Sequence, residues 1–405
     1  MKASEIHIRD YDYVLPEERI AKFPLAQRDA SKLLIYDKGN ISHTLFRNIV
    51  DYIPAADLLV FNNTRVIQSR FLFKKTTGAS IEIFCLEPSD PADYRESFQH
   101  KSEVIWHCLI GNAKRWKEGK LSKSIIHHNE EITFYAEKME KADGTWLVKF
   151  TWTPVHYTFA DILLAAGSTP IPPYLNREAV PEDRITYQTV YSLVDGSVAA
   201  PTAGFHFTNE ILDKLKNKGV PFLELTLHVG AGTFRPVLAT EIHEHTMHTE
   251  HIYFKKKDIQ TLLAHQGEIT AVGTTSARTL ETIYWLGCKF KKQGRFNPQL
   301  FSIDQWEDQN MIPLSRNDSL ETLLEFSDKN RINEFHSNTR LMIIPGYKYH
   351  MVDRIITNFH QPKSTLLLLI SSLIGEDWRR VYEYAMKHDF RFLSYGDSSF
   401  LIPRK

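Results

Sequence analysis

The chain has 405 residues, of which 42% are hydrophobic and 24% charged, an ordinary globular proportion with length for two domains. Lys plus Arg is 49 and Asp plus Glu is 49, a formal net charge of zero, which argues against nucleic-acid binding by bulk charge and against an acidic tail protein. Three widely spaced cysteines, Cys85, Cys108 and Cys288, encode neither a disulfide framework nor a CxxC zinc site.

The first ten residues, MKASEIHIRD, hold no apolar stretch of signal-peptide kind, and the longest apolar run, 366–370, is far below a membrane span. A soluble, cytoplasmic protein with no membrane partner is therefore expected. Residues 33–36 and 58–61 read as short apolar strands. From 67 to about 152 the pattern changes. Period-two or β-rich runs at 80–86, 104–110, 131–136 and 145–152 alternate with turns, and no helical run is read among them. Such a series predicts a small barrel or sandwich.

Helices and strands then alternate. Helices are predicted over 159–166, closed by Gly167, and over 209–218, closed by Gly219 with Thr208 as N-cap. A strand at 222–228, a helix around 258–265, a strand at 269–272 and a helix at 276–286 follow. The expected fold class is a mixed α/β domain, 1–66 plus 153–405, with an all-β barrel domain, 67–152, inserted in it. Residues 287–340 form a polar excursion read as a surface insertion, with one helix signalled by the capping-box-like spacing of Asp318 and Glu321.

Chemistry gathers at glycine-rich turns. In TLHVGAGTFRPV (226–237) a strand ends at His228, and Gly230 and Gly232 precede Thr233 and Arg235; glycines there let backbone N–H groups approach a ligand. GSVAAPTAGFHFT (196–208) packs small residues, including Thr202 and Gly204, ahead of a helix, with His206 as an acid/base or ligand candidate. AVGTTSARTLE (271–281) joins a strand to a helix through Thr274, with Arg278 one turn on. ITNFHQPKSTLLLL (356–369) carries Asn358, His360 and Lys363 before a helix opened by Ser364 or Thr365, which suits an anionic group. SYGDSSFLI (394–402) puts Asp397 in another tight turn. Several such turns after strands argue for one pocket assembled from several loops.

The run HEHTMHTEH (243–251) spaces His245, His248 and His251 by three, which could ligate a metal, although Met247 breaks the HExxH pattern. AKRWKEGKLSK (113–123) reads as a hairpin tip with five basic residues and one acid; Lys114, Arg115 and Lys117 suit phosphates and Trp116 a stacked base. Arg65 and Arg70 border the same block.

Taken in order, RDASKLL, DLLVFNNTRV, IPPYLNR, YQTVY, GSVAAPTAGFHFT, TLHVGAGTFRPV, HTMHTE, AVGTTSARTLE, IIPGY, TNFHQPKSTLLLL and FRFLSYGD resemble the S-adenosylmethionine:tRNA ribosyltransferase-isomerases of queuosine biosynthesis. The match is collinear from about residue 28 to 402, outside 287–340. The resemblance implies a β-barrel domain inserted in an α/β domain. It also implies transfer and isomerisation of the ribosyl part of S-adenosylmethionine onto 7-aminomethyl-7-deazaguanine at the tRNA wobble position. Epoxyqueuosine-tRNA forms, and adenine and methionine leave. It implies no metal and no permanently bound cofactor, S-adenosylmethionine being a co-substrate.

That chemistry needs a base near the sulfonium and a donor at adenine. Residue type and motif membership give these roles to His206, His228 and His245, and substrate contacts to Arg235, Asn358 and Lys363 with the other turn residues named above. The sequence departs from the family pattern at Asn63 (usually Asp), Gln68–Ser69 (Pro-Ala), Phe205 and Gln361 (leucines) and Ser398–Ser399 (Ala-Met). Two other readings stay open: a non-catalytic RNA-binding relative that kept the fold, which retention of the His and Gly motifs opposes, and a metal-dependent hydrolase using the histidine run. Residues 1–66 hold nine basic and nine acidic residues and 67–152 hold thirteen and twelve. With no basic domain, the expectation is modest, structure-selective tRNA affinity through a local patch.

Overall fold

The computed structural model describes residues 3–75, 77–117, 119–142, 144–230, 232, 237, 239–293 and 301–404; Thr233 and Arg235 lie outside them. The chain begins with β1 (Lys32–Asp37), β2 (Asn40–Leu45), α1 (Ile49–Tyr52), β3 (Leu58–Asn62) and β4 (Thr64–Val66). Next come β5 (Arg70–Lys74), β6 (Ser80–Asp90), α2 (Tyr94–Gln99), β7 (Glu103–Gly111), β8 (Leu121–His127), β9 (Glu130–Ala142) and β10 (Thr145–Thr153). The middle supplies α3 (Phe159–Ala166), α4 (Asp183–Thr186), β11 (Val194–Ser197), α5 (Asn209–Asn217), β12 (Phe222–His228), β13 (Glu250–Lys255), α6 (Lys256–Ala264) and β14 (Ile269–Val272). The last part is α7 (Thr274–Gln293), β15 (Ser302–Ile303), α8 (Arg316–Asn330), β16 (Glu334–Thr339), β17 (Arg354–Asn358), α9 (Thr365–Ile374), α10 (Asp377–Lys387) and β18 (Ser398–Ile402).

Among the described residues, the large sheet runs β15-β16-β13-β12-β3-β14-β17-β18-β1-β2. Its centre, β12-β3-β14-β17, is parallel. β3 and β14 are buried at every position, as parallel strands covered on both faces must be. Leu58 and Val60 pack with Ala277, Leu280 and Ile283 of α7, while Leu59 and Phe61 face a separate core with Ile211 and Leu215 of α5. Side-chain caps start the covering helices: Thr208 Oγ1 accepts the Ile211 N–H at 3.3 Å, and Ser364 Oγ accepts the Leu367 N–H at 3.2 Å.

The second sheet, β5-β6-β7-β10-β9-β8, is antiparallel throughout, and its end strands β5 and β8 touch, giving a nearly closed barrel. Alternate residues point inward, among them Phe71, Phe73, Ile81, Ile83, Trp106, Phe134 and Phe150. Phe159 and Ile162 of α3 join this core, and a reciprocal Thr158–Asp161 capping box fixes the start of α3. The mixed α/β character and the barrel-like sheet match the sequence reading. Among the described residues no helix is long and apolar enough to cross a membrane.

Three local expectations are corrected. The stretch read as free of helix contains α2, whose N-cap Asp93 accepts the Glu96 N–H at 2.9 Å. Trp116, read as an aromatic available for stacking, is fully buried; its indole N–H donates to the Gly119 carbonyl at 2.9 Å, and Lys138 lies over its ring. Residues 287–340 are more than a surface insertion. α8 buries Leu320 and Leu323 in the main core, and β16 pairs with β13. The helix there starts a turn earlier than read, because Ser315 is the cap and accepts the Asp318 N–H at 3.1 Å.

Candidate active site

Because β12, β3, β14 and β17 are parallel, their C-terminal ends share one edge of the sheet, the usual position for ligand sites in α/β folds. β18 is antiparallel to β17 and parallel to β1, so Ser398 lies opposite both Asn358 and Leu33, and both strands begin at that edge. A pocket of about 80 Å³ opens there, with Thr202, Thr274, Asn358 and His360 in its wall, four of the residues singled out by type. Val229 and Gly273, just after two strand ends, and Ser364, at a helix start, also line it. The N-termini of α7 and α9 both face it through Thr274 and Ser364, which favours an anionic group.

Asn358 is the hub of this edge. Its Nδ2 donates to the Leu393 carbonyl at 2.9 Å and to the Ser394 carbonyl at 3.2 Å. Its Oδ1 is therefore left as acceptor for His206 Nε2–H at 3.2 Å. His206 Nδ1 then accepts the Ser31 hydroxyl at 2.7 Å, which fixes the tautomer. Burial, opposed by the Asn358 hydrogen bond, lowers the His206 pKa to about 4. His206 is thus a neutral ring with both nitrogens engaged. Burial likewise lowers His360 to about 3, and its Nε2 meets Thr357 Oγ1 at 3.0 Å.

Other expected contacts have different employment. The Lys363 ammonium pairs with Asp12 at 2.7 Å, half-exposed, and does not line the pocket. Asp397 is a buried clamp that accepts the backbone N–H groups of Lys32 at 2.9 Å and Arg391 at 2.8 Å. Arg278 donates to Glu250 at 2.7 Å, both side chains buried. Glu250 also holds His248 at 3.2 Å and the Gly230 N–H, and these contacts outweigh its burial and lower its pKa. His248 explains the glycines above it: a Cβ on Gly232 would come within 2.3 Å of His248 Nδ1, and one on Gly230 within 3.3 Å of its ring. At Gly204 a Cβ would fall 1.9 Å from the Tyr191 hydroxyl.

A second hollow, about 1100 Å³, separates α2 from the β12–β13–β16 side of the large sheet. His228 lines it; its Nδ1 meets Thr64 Oγ1 at 2.9 Å, and its ring packs against Tyr94 at 4.7 Å. Burial, helped by nearby His251, lowers the His228 pKa to about 3, so this imidazole is neutral at physiological pH. Gly196 has φ +147°, and a Cβ there would sit 2.6 Å from the His228 ring. His228 and Val229 are consecutive yet open to opposite sides: His228 to the cleft, Val229 to the pocket. Ser197 Oγ pins this strand end by accepting the Val229 N–H at 2.8 Å.

The departure at position 63 lies in the cleft wall. Asn63 Oδ1 accepts the Thr226 hydroxyl at 2.7 Å, and its Nδ2 donates to Glu224 at 3.2 Å; an aspartate could not make the second bond. His245, expected to act as acid or base, lines neither hollow and offers its carbonyl to Gln305 Nε2 at 2.6 Å. Its histidine neighbours are separately engaged, His243 with Glu241, His248 with Glu250 and His251 with Glu87, each at 3.2 Å. Among the described residues no group of three or more His, Cys, Asp or Glu is placed to hold a metal ion.

Arg65 lines the cleft and donates to the Ser192 carbonyl at 2.9 Å. Arg70 pairs with Glu82 at 3.1 Å outside the cleft lining, and Lys114, Arg115 and Lys117 are exposed between β7 and β8. Ser31 and Ser197 escaped the sequence reading, whereas His248 and Glu250 lay in the histidine run read as a possible metal site and instead brace the glycine turn.

A profile of the Queuosine biosynthesis protein family matches residues 8–401. The S-adenosylmethionine:tRNA ribosyltransferase-isomerase of Thermosipho africanus is 38% identical over 400 residues, covering 97% of this chain and 99% of that protein. The protein of that name from Thermosipho melanesiensis is 37% identical over 401 residues, covering 97% of this chain and 99% of its own length. The crystal structure of S-adenosylmethionine tRNA ribosyltransferase from Thermotoga maritima aligns with 97% of this chain and 100% of that one, at 27% identity and a TM-score of 0.45. By its end-to-end profile match and its identity to these relatives, the chain belongs to the S-adenosylmethionine:tRNA ribosyltransferase-isomerase family of queuosine biosynthesis.

Proposed function

We propose that this chain transfers and isomerises the ribosyl group of S-adenosylmethionine onto 7-aminomethyl-7-deazaguanine at the wobble position of tRNA. The products are epoxyqueuosine-tRNA, adenine and methionine. One observation carries the reading beyond family membership: β12 ends between two hollows of different size, with His228 in one and Val229 in the other. A two-substrate transfer needs such a meeting point. The small pocket suits the methionine end of S-adenosylmethionine, because the two helix N-termini favour its carboxylate. The wide cleft suits the RNA.

In this reading His228, an unprotonated imidazole lining the cleft, accepts the proton removed beside the sulfonium, and negative groups of the bound substrates offset the burial that otherwise disfavours its charged form. Thr64 and Gly196 hold its ring in place. His206 serves as a positioning residue, its ring fixed between Ser31 and Asn358 so that the Asn358 and Thr202 wall keeps its shape. Arg278 acts through Glu250 and His248 on the glycine turn rather than on substrate. The reading also takes residues 1–66 with 153–405 as the catalytic α/β domain, 67–152 as a barrel domain inserted into it, and the cytoplasm as its place of work.

The test is incubation with S-adenosylmethionine and tRNA bearing the deazaguanine precursor, followed by chromatography. One adenine per modified tRNA is expected. Absence of adenine, where a working relative under the same conditions releases it, would overturn the assignment.

A further inference from the structure

The cleft floor has a chemical character that catalysis alone does not require. In the antiparallel register Thr226 lies opposite Tyr253 and Tyr253 opposite His336, so these three side chains share one face of the sheet. His228 stands two residues beyond Thr226 on the same face. The rings form a continuous ladder: Tyr94 to His228 at 4.7 Å, His228 to Tyr253 at 5.2 Å and Tyr253 to His336 at 4.7 Å. It runs from the buried end of β12 out to His336, which is exposed on β16.

The charges around this ladder are unevenly engaged. Glu334 pairs with Lys255 at 3.4 Å, Asp258 accepts the Lys255 N–H at 2.7 Å, Asp93 caps α2 and Glu224 holds Asn63. Arg95, Arg184 and Lys257 line the same cleft, are exposed, and make no ion pair among the described residues. Glu334 and Asp195 are thus ion-paired, Asp93, Glu224 and Asp258 keep their charge while bound to neutral donors, and three exposed cations around the aromatic floor are left without an ion pair and can take phosphates.

A sheet face bearing a row of rings beside free cations has the chemistry of a single-stranded nucleic-acid platform: rings take the faces of unstacked bases and cations take the backbone. We infer that the β12–β13–β16 face is where the loop of the RNA substrate docks, with Tyr253 and His336 stacking bases and Arg95, Arg184 and Lys257 contacting phosphates. This rests on the tRNA reading above and moves the RNA surface away from the 113–123 turn. There the only aromatic, Trp116, is buried in the barrel.

The experiment measures fluorescence-anisotropy binding of tRNA bearing the deazaguanine precursor to the full chain, across a salt series. S-adenosylmethionine binding is followed by calorimetry on the same preparations. His336→Ala and Tyr253→Ala should each weaken RNA binding by about tenfold, and Tyr253→Phe should restore most of it. Arg184→Ala with Lys257→Ala should flatten the dependence of binding on salt by about one unit of log–log slope per charge. Affinity for S-adenosylmethionine should stay within about twofold. His336 is exposed, so its variant tests the ladder even if Tyr253→Ala fails to fold. Unchanged RNA binding by His336→Ala and the double cation variant, or loss confined to a Lys114→Ala, Arg115→Ala, Lys117→Ala protein, would overturn the inference. Loss of S-adenosylmethionine binding in the ladder variants with RNA binding intact would overturn it too. A wild-type chain that binds no tRNA at all would instead count against the functional reading on which the inference rests.

Discussion

The two hollows that meet at the end of β12 are built on opposite principles. Around the small pocket, His206, Asn358, Glu250 and Asp397 are buried and each is held by named hydrogen bonds. The wide cleft keeps exposed cations and a graded row of rings. A satisfied polar interior fixes a shape in advance, which suits a ligand that is always the same molecule. An open, ring-bearing face tolerates many base orientations, which suits a flexible polymer.

The contrast is sharpest at the two histidines, and the largest expected effect lies there. His228→Gln, which keeps much of the buried ring's volume and spares the cavity that alanine would leave beside Tyr94 and Thr64, should slow adenine release by about 10²–10⁴-fold, the usual worth of a positioned acid or base. His206→Ala should also abolish turnover, but with a loss of about 1–3 kcal/mol of stability, because Ser31 and Asn358 are left unpaired. Near-normal turnover by both would erase the distinction between a reacting and a positioning histidine.

Next in size is the anchor beneath the glycine turn. Glu250→Ala strands a buried Arg278, an uncompensated charge costing about 3–5 kcal/mol. Urea unfolding would read it, and a change under 1 kcal/mol would mean that the turn is held otherwise.

A pH effect of intermediate size follows from His206, His228 and His360, whose pKa values are lowered to about 4, 3 and 3. The unfolded chain, with histidine near 6.5, binds more protons than the folded one between those limits. Stability should therefore rise with pH from about 4 to 6.5 and gain nothing further from these groups above that. His206→Asn and His360→Asn should flatten that slope in denaturant titrations at pH 5; an unchanged slope would show these rings to be freely protonated. The smallest effect is reserved for the barrel surface, where the Lys114, Arg115, Lys117 triple alanine variant should shift stability by no more than about 0.5 kcal/mol and leave adenine release unaltered.

The sequence reading fared differently at different levels of structure. Period-two runs located the core of the barrel strands, and Thr208 marked a helix start that its side chain makes in fact. Thr274, Asn358 and His360, read separately as polar residues after strands, converge on one pocket because the parallel register of β14 and β17 brings those strand ends together, and Thr202, read in a small-residue stretch ahead of a helix, joins them there. Pairing partners were not legible. Lys363 looked available for a substrate carboxylate, but Asp12 takes it; Arg278 looked like a pocket donor, but Glu250 takes it. Such choices depend on which remote segments the fold apposes, and local spacing carries no record of that. Trp116 misled for a related reason: a basic turn reads as solvent, yet its ring folds inward under Lys138. The polar composition of 287–340 likewise hid β16, whose burial alternates residue by residue, with one face in the core and the other in the cleft.

The back-to-back placement of His228 and Val229 has one more consequence. A strand end that is a wall of two compartments cannot be displaced toward one without enlarging the other, and Ser197 fixes its resting position. Any coupling between occupancy on the two sides is a single interaction free energy, and linkage requires it to be the same in both directions. The factor by which tRNA changes the dissociation constant of S-adenosylmethionine should equal the factor by which S-adenosylmethionine changes that of tRNA. Ser197→Ala, which loosens the shared wall, should bring both factors toward one.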